Sequence, residues 1–235
     1  LICLPLRGSA QSYEQMWKQV EALEQKQLPE SAIKELQKIY EHAKREKNMP
    51  QMMKAHLTKA SLSIDITPDS LDHELSGLKI WVAEEKDPVY KAILNNLLGY
   101  YTLDTGKRDE AAIDAAIAYF RLSLQDKDIL SRKSAADYRP MTVSKELSGK
   151  YCGDNMYQLL ARQAISRLSG YFIVNPVLAE NIQTEILSIY DELIDFYQQQ
   201  GMTDARLLLM LDKLNYQGKD ISRGGVNEKL RLTDE

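Results

Sequence analysis

Apolar residues recur every three to four positions along most of this chain, which is the spacing of one buried face of an α-helix. The clearest stripe predicts a helix that begins at Leu28-Pro29 and ends near Asn48. Its members are Ala32, Ile33, Leu36, Ile39, Tyr40 and Ala43. Glutamate and lysine occupy the opposite positions, so we expect Leu36 and Ile39 to be core residues of this helix.

Proline residues divide the remaining pattern into further helices. Because proline fits the first turn of a helix but not its interior, Pro50, Thr67-Pro68 and Asp87-Pro88 each predict a helix start. Nine helices are predicted. Six have both ends predicted, at 12–25, 28–48, 109–124, 154–169, 175–200 and 203–216, and three have a predicted start, at 50, 67 and 87. Short connections between the first six imply antiparallel pairs, and no period-two run persists, so the predicted fold class is all-α.

Paired helices of this length suggest an internal repeat. Leu98-Gly99, Ala111 and Ala118 match part of the tetratricopeptide spacing, in which small residues let paired helices approach closely. Three positions depart from that consensus, which expects Trp, Tyr and Pro where this chain has Asn95, Thr102 and Ser123. The prediction is a degenerate tetratricopeptide-like array of antiparallel hairpins, with an irregular helical domain as the alternative.

The same pattern sets the expected organisation of the chain. We expect a signal-peptide remnant at 1–10, a hairpin array at 11–124 and, at 125–153, a long connection with at most one short turn of helix. The remaining helices of the same domain would occupy 154–216, and 217–235 would be a tail leading into further chain. Long ordered connections often carry function, so 125–153 is a candidate binding segment.

The first ten residues favour export. Gly8 and Ala10 have the spacing of a signal-peptidase site, so the mature chain would begin at Gln11, in the periplasm or envelope of a bacterium. The alternatives are a frayed apolar end of a cytosolic domain and a lipidated Cys3. After cleavage, Cys152 would be the one remaining cysteine, and we expect it to act as an inert, small apolar residue.

Composition removes several classes of function. Apolar residues make up 44% of the chain and charged residues 27%, which excludes disorder of the whole chain. Thirty Lys and Arg against 34 Asp and Glu give a net charge of −4, so nucleic acid is not an expected partner. No run of 18 apolar residues occurs, so we expect no transmembrane segment in this stretch.

Candidate chemistry is sparse. His42, His56 and His73 fall on different predicted helices without a second ligand one turn away, so no metal site is expected. Asp191 and Asp195 lie one turn apart, either as a carboxylate pair or, as we expect, as a solvated helix face. No nucleophile, phosphate-binding or dinucleotide motif occurs, so the sequence predicts neither an enzyme nor a cofactor.

Tyrosine is the overrepresented aromatic residue, with 13 Tyr against 3 Phe and 2 Trp. Its rigid face and hydroxyl suit a binding groove, although such tyrosines also fill helix interfaces. The candidate binding surface comprises Tyr100, Tyr101, Tyr151, Tyr157 and Arg139. Tyr190 and Tyr197 are further groove candidates.

Several stretches resemble the N-terminal helical region of large bacterial alpha-2-macroglobulin-like proteins. They are Leu28–Ile33, Ile39-Tyr40, Ala43-Lys44, Gln51–Ala55, Arg139–Thr142, Met156–Ala164, Tyr190–Tyr197 and Leu211–Leu214 with Ala205. The resemblance implies an exported envelope protein whose later domains are β-sandwiches and, in some members, a protease-trapping thioester region. Cys152-Gly153-Asp154-Asn155 lacks the Gln that a Cys-x-x-Gln thioester requires, so no thioester residue carries over.

Two functions follow as expectations. The first is a non-catalytic interaction or spacer module of an envelope anti-protease system, whose partner is a protein, including other domains of the same polypeptide. The alternative is a helical domain that grips a peptide or glycan through a tyrosine-lined groove and the 125–153 connection. A contiguous aromatic groove would favour the second, and a convex, uniformly charged surface the first.

Overall fold

The computed structural model describes residues 12–67, 69–104, 109–139, 141, 155–171 and 176–224. Its helices are α1 (Tyr13–Gln25), α2 (Pro29–Glu46), α3 (Met49–Ile66), α4 (Ser70–Glu84), α5 (Pro88–Asp104), α6 (Glu110–Leu124), α7 (Lys127–Leu130), α8 (Met156–Gly170), α9 (Pro176–Gln199) and α10 (Thr203–Gly224). A 3-10 helix covers Ala135–Tyr138. The predicted signal-peptide remnant, with Cys3, and the candidates Tyr151 and Cys152 lie outside the described residues.

The all-α fold class is confirmed. Helices that are consecutive in sequence pack as hairpin-like pairs, namely α1 with α2, α2 with α3, α5 with α6, α8 with α9 and α9 with α10. Within the described ranges there is no β-strand, and the extended backbone pairs only at an isolated bridge between Ser134 and Asn155. Among these same helices none is long and apolar enough to cross a membrane.

Side-chain caps explain why the predicted helix starts agree with the structure. Ser12 forms a capping box with Gln15 at the start of α1. Asp109 Oδ1 accepts a hydrogen bond from Ala112 N at 2.8 Å, and Asn155 Oδ1 accepts one from Gln158 N at 3.0 Å. These carboxylate and amide oxygens satisfy backbone donors that a helix start leaves without a partner.

Two boundaries differ from the sequence-based expectation. The 125–153 connection contains α7 and the 3-10 helix, which at four residues each are too short to show a helical period. Helix α10 extends to Gly224, eight residues beyond the predicted end at Tyr216, and contains Gly218 in its interior. One glycine inside a helix costs only about 1 kcal/mol, which the rest of the helix can offset.

The chain divides into two compact units, each described by itself. The first contains the described residues of 1–77 and 136–143, and the second those of 78–135 and 144–235. In the first unit, α1, α2 and α3 share a core in which Val20, Leu36 and Ile39 are buried. The predicted core positions Leu36 and Ile39 are confirmed.

In the second unit, α5 and α6 approach closely at Gly99. A Cβ atom added there would lie 2.9 Å from Cε1 of Phe120, so the small-residue interpretation of Gly99 agrees with the packing. Ala111 and Ala118, the other two small residues of the proposed repeat spacing, are exposed on α6 and do not lie in a helix interface. The tetratricopeptide-like arrangement therefore stays a prediction, supported at Gly99 and not at these alanines.

A buried polar contact connects α5, α6 and α8. Asn96 Nδ2 donates to Ser123 Oγ at 3.1 Å and to the Leu160 carbonyl at 3.2 Å. Ser123 Oγ in turn donates to the Phe120 carbonyl at 2.6 Å. Because a buried amide without partners is costly, these bonds fix the position of α8 against the α5–α6 hairpin.

Candidate binding groove

A groove of about 440 Å³ lies among α8, α9 and α10 of the second unit. Helix α8 contributes Arg162, Ser166 and Ser169; α9 contributes Tyr190; α10 contributes Asp212, Asn215 and Tyr216. Helix α9 packs against both α8 and α10, which places it behind the groove. Buried Leu209 and Ile165 complete an apolar base under these polar groups.

Helical spacing brings the lining residues of each helix to one side. Positions three, four and seven residues apart share a helix face, as do Arg162, Ser166 and Ser169 on α8. Asp212, Asn215 and Tyr216 have the same relation on α10. Two polar stripes, one per helix, therefore face a common space above α9.

Arg162 is held in place from below. Its Nε and Nη2 both donate to the hydroxyl oxygen of Tyr197 at 3.3 Å, and Tyr197 is fully buried on α9. The guanidinium carbon also lies 6.0 Å from the centre of the Tyr197 ring. A cation fixed in this way loses little side-chain entropy when it binds a ligand.

The two tyrosines of the groove lie next to each other. The ring centres of Tyr190 and Tyr216 are 6.2 Å apart. Burial raises the pKa of Tyr190, and the carboxylate of Asp212 raises it further, while Arg162 acts in the opposite direction. The Tyr190 hydroxyl therefore stays protonated at neutral pH and offers both a donor and an acceptor.

The groove combines a cation, an anion, hydroxyl groups and an amide over an apolar base. This set can hydrogen-bond a ligand that presents both donors and acceptors. Across the residues that the structure describes, no group of three or more His, Cys, Asp or Glu could hold a metal ion. The arrangement suits non-covalent binding.

The sequence-predicted binding residues do not come together in this groove. Tyr100 and Tyr101 have ring centres 5.0 Å apart on α5, and the Arg167 guanidinium lies 4.0 Å over the Tyr100 ring. Arg139 is exposed, but it belongs to the first unit. The tyrosine-lined surface that the sequence suggests on α5 is thus a partly buried pair with its own cation, apart from the α8–α10 groove.

Tyr157 has a different role from the expected one. Only 1% of it is exposed, and its ring meets Phe196 at 5.1 Å in an edge-on contact. The Lys127 ammonium lies 5.2 Å from the centre of the same ring. Burial raises the pKa of the Tyr157 hydroxyl to about 12. Tyr157 is therefore a core residue, since the second position of α8 points into the helix interface.

Two of the three histidines and one aspartate of the carboxylate pair have local partners. His42 lies 3.3 Å from Glu46 on the same helix, and His56 lies 4.0 Å from Glu74. Asp191 pairs with Lys213 of α10 at 2.5 Å, and Asp195 is exposed. The solvated-face interpretation of the two aspartates therefore describes their surroundings better than a paired-carboxylate site.

The sequence pattern indicates Tyr190 as a groove residue but not Arg162 or Asp212. A usable signal was present, because Arg162 and Ser166 are four residues apart on α8, as are Asp212 and Tyr216 on α10. Polar pairs on the inward side of a helix stand out only when that side is known. Packing, which brings α8 and α10 to α9, supplies that knowledge.

Comparison of the chain with family models, with curated proteins and with solved structures finds no match. The resemblance to alpha-2-macroglobulin-like proteins therefore rests on the sequence stretches named above.

Proposed function

We propose that this chain is a non-catalytic binding module that holds an extended peptide segment in the α8–α10 groove. The observation that carries the proposal is the joint presence of Arg162, Asp212 and the Tyr190–Tyr216 pair along one groove. It favours the groove-binding alternative of the sequence analysis over a spacer with a uniformly charged surface.

A peptide fits this chemistry better than a neutral glycan. An extended backbone alternates carbonyl acceptors and amide donors, which match a guanidinium or hydroxyl donor on α8 and a carboxylate or amide acceptor on α10. The tyrosine rings offer flat apolar contact to a side chain at small entropic cost. A neutral glycan presents hydroxyl groups and lacks this alternation of carbonyls and amides along one strand.

The non-catalytic part is supported by where the candidate groups lie. Asp191 is engaged by Lys213, and His42 and His56 each lie beside a glutamate within the first unit. None of these residues lines the groove. A reaction in the groove would have to use the groups that bind the ligand.

The test is a selection of random 12-residue peptides displayed on phage against the immobilised chain. Binding of a selected peptide is then measured by isothermal titration calorimetry. Arg162→Gln should weaken it about tenfold or more, because charge-assisted hydrogen bonds are worth roughly 1.5–3 kcal/mol. Ser166→Trp, which places an indole in the groove from an exposed position, should abolish binding.

Gln163→Trp is the matched control, since Gln163 is exposed on the same helix and does not line the groove. This variant should bind like the parent chain. Equal losses for both tryptophan variants would contradict the proposal, and so would a selected peptide whose affinity none of the groove variants changes. If the chain binds soluble glycans and no peptide, the peptide proposal is wrong and the ligand of the groove is a glycan.

We further propose that the module works outside the cytoplasm, in the bacterial envelope, as part of an alpha-2-macroglobulin-like protein. Support comes from the Gly8 and Ala10 spacing and from the resemblance. Intact-mass measurement of protein exported by the native host should find Gln11 as the first residue. Retention of 1–10 would contradict export by this route.

A further inference from the structure

Helix α10 carries leucines on its outer side that no other described element covers. Leu207, Leu211 and Leu214 are 51%, 56% and 62% exposed, and Leu208 and Met210 flank them at 42% and 38%. We call these five residues the α10 stripe. Helix α10 packs against α9 through other positions, including buried Ala205 and Leu209.

The stripe has the spacing of a helix-pairing seam. The steps from Leu207 to Leu211 and from Leu211 to Leu214 are four and three residues, the alternation of core positions in a coiled coil. The flanking positions Leu208, Met210 and Asn215 are uncharged. A second helix could therefore approach along the stripe without burying an unpaired charge.

We propose that the α10 stripe pairs with the same stripe of a second copy of this chain, with the two α10 helices antiparallel and the two-fold axis near Leu211. Leucines four residues before and three residues after Leu211 give the stripe apolar side chains on both sides of the axis. In this register Leu207 of one copy lies at the level of Asn215 of the other, and Leu208 lies at the level of Leu214. A two-fold pair uses the same patch twice, as isologous dimers do.

Charge selects the antiparallel direction. A parallel pair would place Asp204 beside Asp204 and the two helix N-termini together, both of which repel. The antiparallel pair places Asp204 opposite Gly218 and sets the helix dipoles in opposite directions. It therefore avoids each of these repulsions.

The exposed area fits a dimer of modest strength. Five large apolar side chains at these exposures form a patch of roughly 400–500 Å², the size of the largest apolar patch on a typical monomer. Two such patches with their rim bury on the order of 1,000 Å², about the lower limit for a specific interface. The dimer should therefore be concentration-dependent.

Pairing through the stripe would reach the binding groove only at Asn215, which lines the groove and lies about 40° from Leu211 around the helix. Residues two positions apart lie about 160° apart, so Leu209 and Tyr216 of the groove are nearly opposite Leu211 and Leu214. The proposed dimer would therefore leave most of each groove on the side of α10 that faces away from the pair. The dimer proposal does not depend on what the groove binds.

Sedimentation velocity of the full 235-residue chain over a hundredfold concentration range tests the pairing. We expect a shift from monomer to dimer, and Leu211→Glu should leave the chain monomeric with an unchanged circular dichroism spectrum. Ile80→Glu is the matched control, because Ile80 is 61% exposed on α4, and it should dimerise like the parent. A monomer at every concentration, or dimerisation of Leu211→Glu, would overturn the proposal.

Disulfide trapping tests the direction, in a chain whose Cys3 and Cys152 are replaced by serine. After oxidation with diamide, Leu211→Cys should give a covalent dimer because its two copies meet at the axis. Leu207→Cys alone should not, since its two copies would be about 12 Å apart along the axis, too far for a disulfide. Leu207→Cys with Asn215→Cys should. Trapping by Leu207→Cys alone would show a parallel pair and overturn the antiparallel proposal.

Discussion

Helix α2 of the first unit and helix α10 of the second are both long and amphipathic, yet their outer surfaces differ. The exposed positions of α2 carry polar residues, among them Lys34, Gln37, Lys38, Glu41 and Lys44. Those of α10 include Leu207, Leu211 and Leu214. The described residues bury most of the apolar side of α2, with Leu36 and Ile39 at 0% exposed, but they leave a larger part of that of α10 exposed.

The largest expected effect comes from replacing one leucine by alanine on each of these two helices. Leu36→Ala on α2 should lower the free energy of unfolding by about 2–4 kcal/mol, because Leu36 is fully buried and its removal leaves a cavity. Leu214→Ala on α10 should change it by less than about 0.5 kcal/mol at concentrations where the chain is monomeric, since Leu214 is mostly exposed. Urea denaturation measures both.

Equal losses at the two leucines would contradict the difference between the helices. A large loss at Leu214 in dilute solution would mean that the outer side of α10 is covered within the chain. A small loss at Leu36 would mean that α2 is not packed as described.

A second comparison uses two glycines inside helices. Gly99→Ala should destabilise by about 1 kcal/mol or more, because the new methyl group would lie 2.9 Å from the Phe120 ring of α6. Gly77→Ala on α4 should stabilise by roughly 0.5–1 kcal/mol, because nothing lies within 4 Å of its added Cβ and alanine favours a helix. In both thermal and urea unfolding, the two variants should change the free energy of unfolding in opposite directions. Stabilisation by both would show that the α5–α6 contact is looser than described.

Much of the fold could be predicted because the helix boundaries are local. Proline in a first turn and oxygen-bearing caps such as Ser12, Asp109 and Asn155 depend on a few neighbouring residues. The stripe on α2 depends on one helix and one core. Helix α7 has only four residues, too few to establish a period, so the pattern indicates a short helical turn within 125–153 without its position.

The groove could not be predicted because it combines three helices. Arg162, Tyr190 and Asp212 are 28 and 22 residues apart, and only the packing of α9 against both neighbours makes them face one space. The same limit explains Tyr157, since its residue type does not show whether it faces a core or a groove. A pattern of polar residues shows its direction only when the apolar side of the helix is known.

The smallest expected effect concerns the pKa values of two glutamates, one in each unit, which shift in opposite directions. Arg121 of α6 contacts Glu185 and Glu192 of α9, with Nη2 to Glu185 Oε2 at 3.1 Å and Nη2 to Ser188 Oγ at 2.8 Å. Burial raises the pKa of Glu185 above its usual value, although Arg121 acts to lower it. On α1, by contrast, Lys18 lowers the pKa of exposed Glu14 through a hydrogen bond at 2.7 Å.

These opposite shifts predict opposite pH dependences. The raised pKa means that the unfolded chain ionises at Glu185 first, so the contribution of this residue to stability is present below about pH 4.5 and is lost as pH rises through the folded pKa. The free energy of unfolding of Glu185→Gln should therefore rise relative to that of the parent chain between about pH 4 and 7. Glu14→Gln should show a smaller change of the opposite sign, because an exposed ion pair is screened by solvent. Urea denaturation at four pH values measures both differences. If the parent chain instead becomes more stable relative to Glu185→Gln as pH rises, attraction to Arg121 outweighs burial at this site.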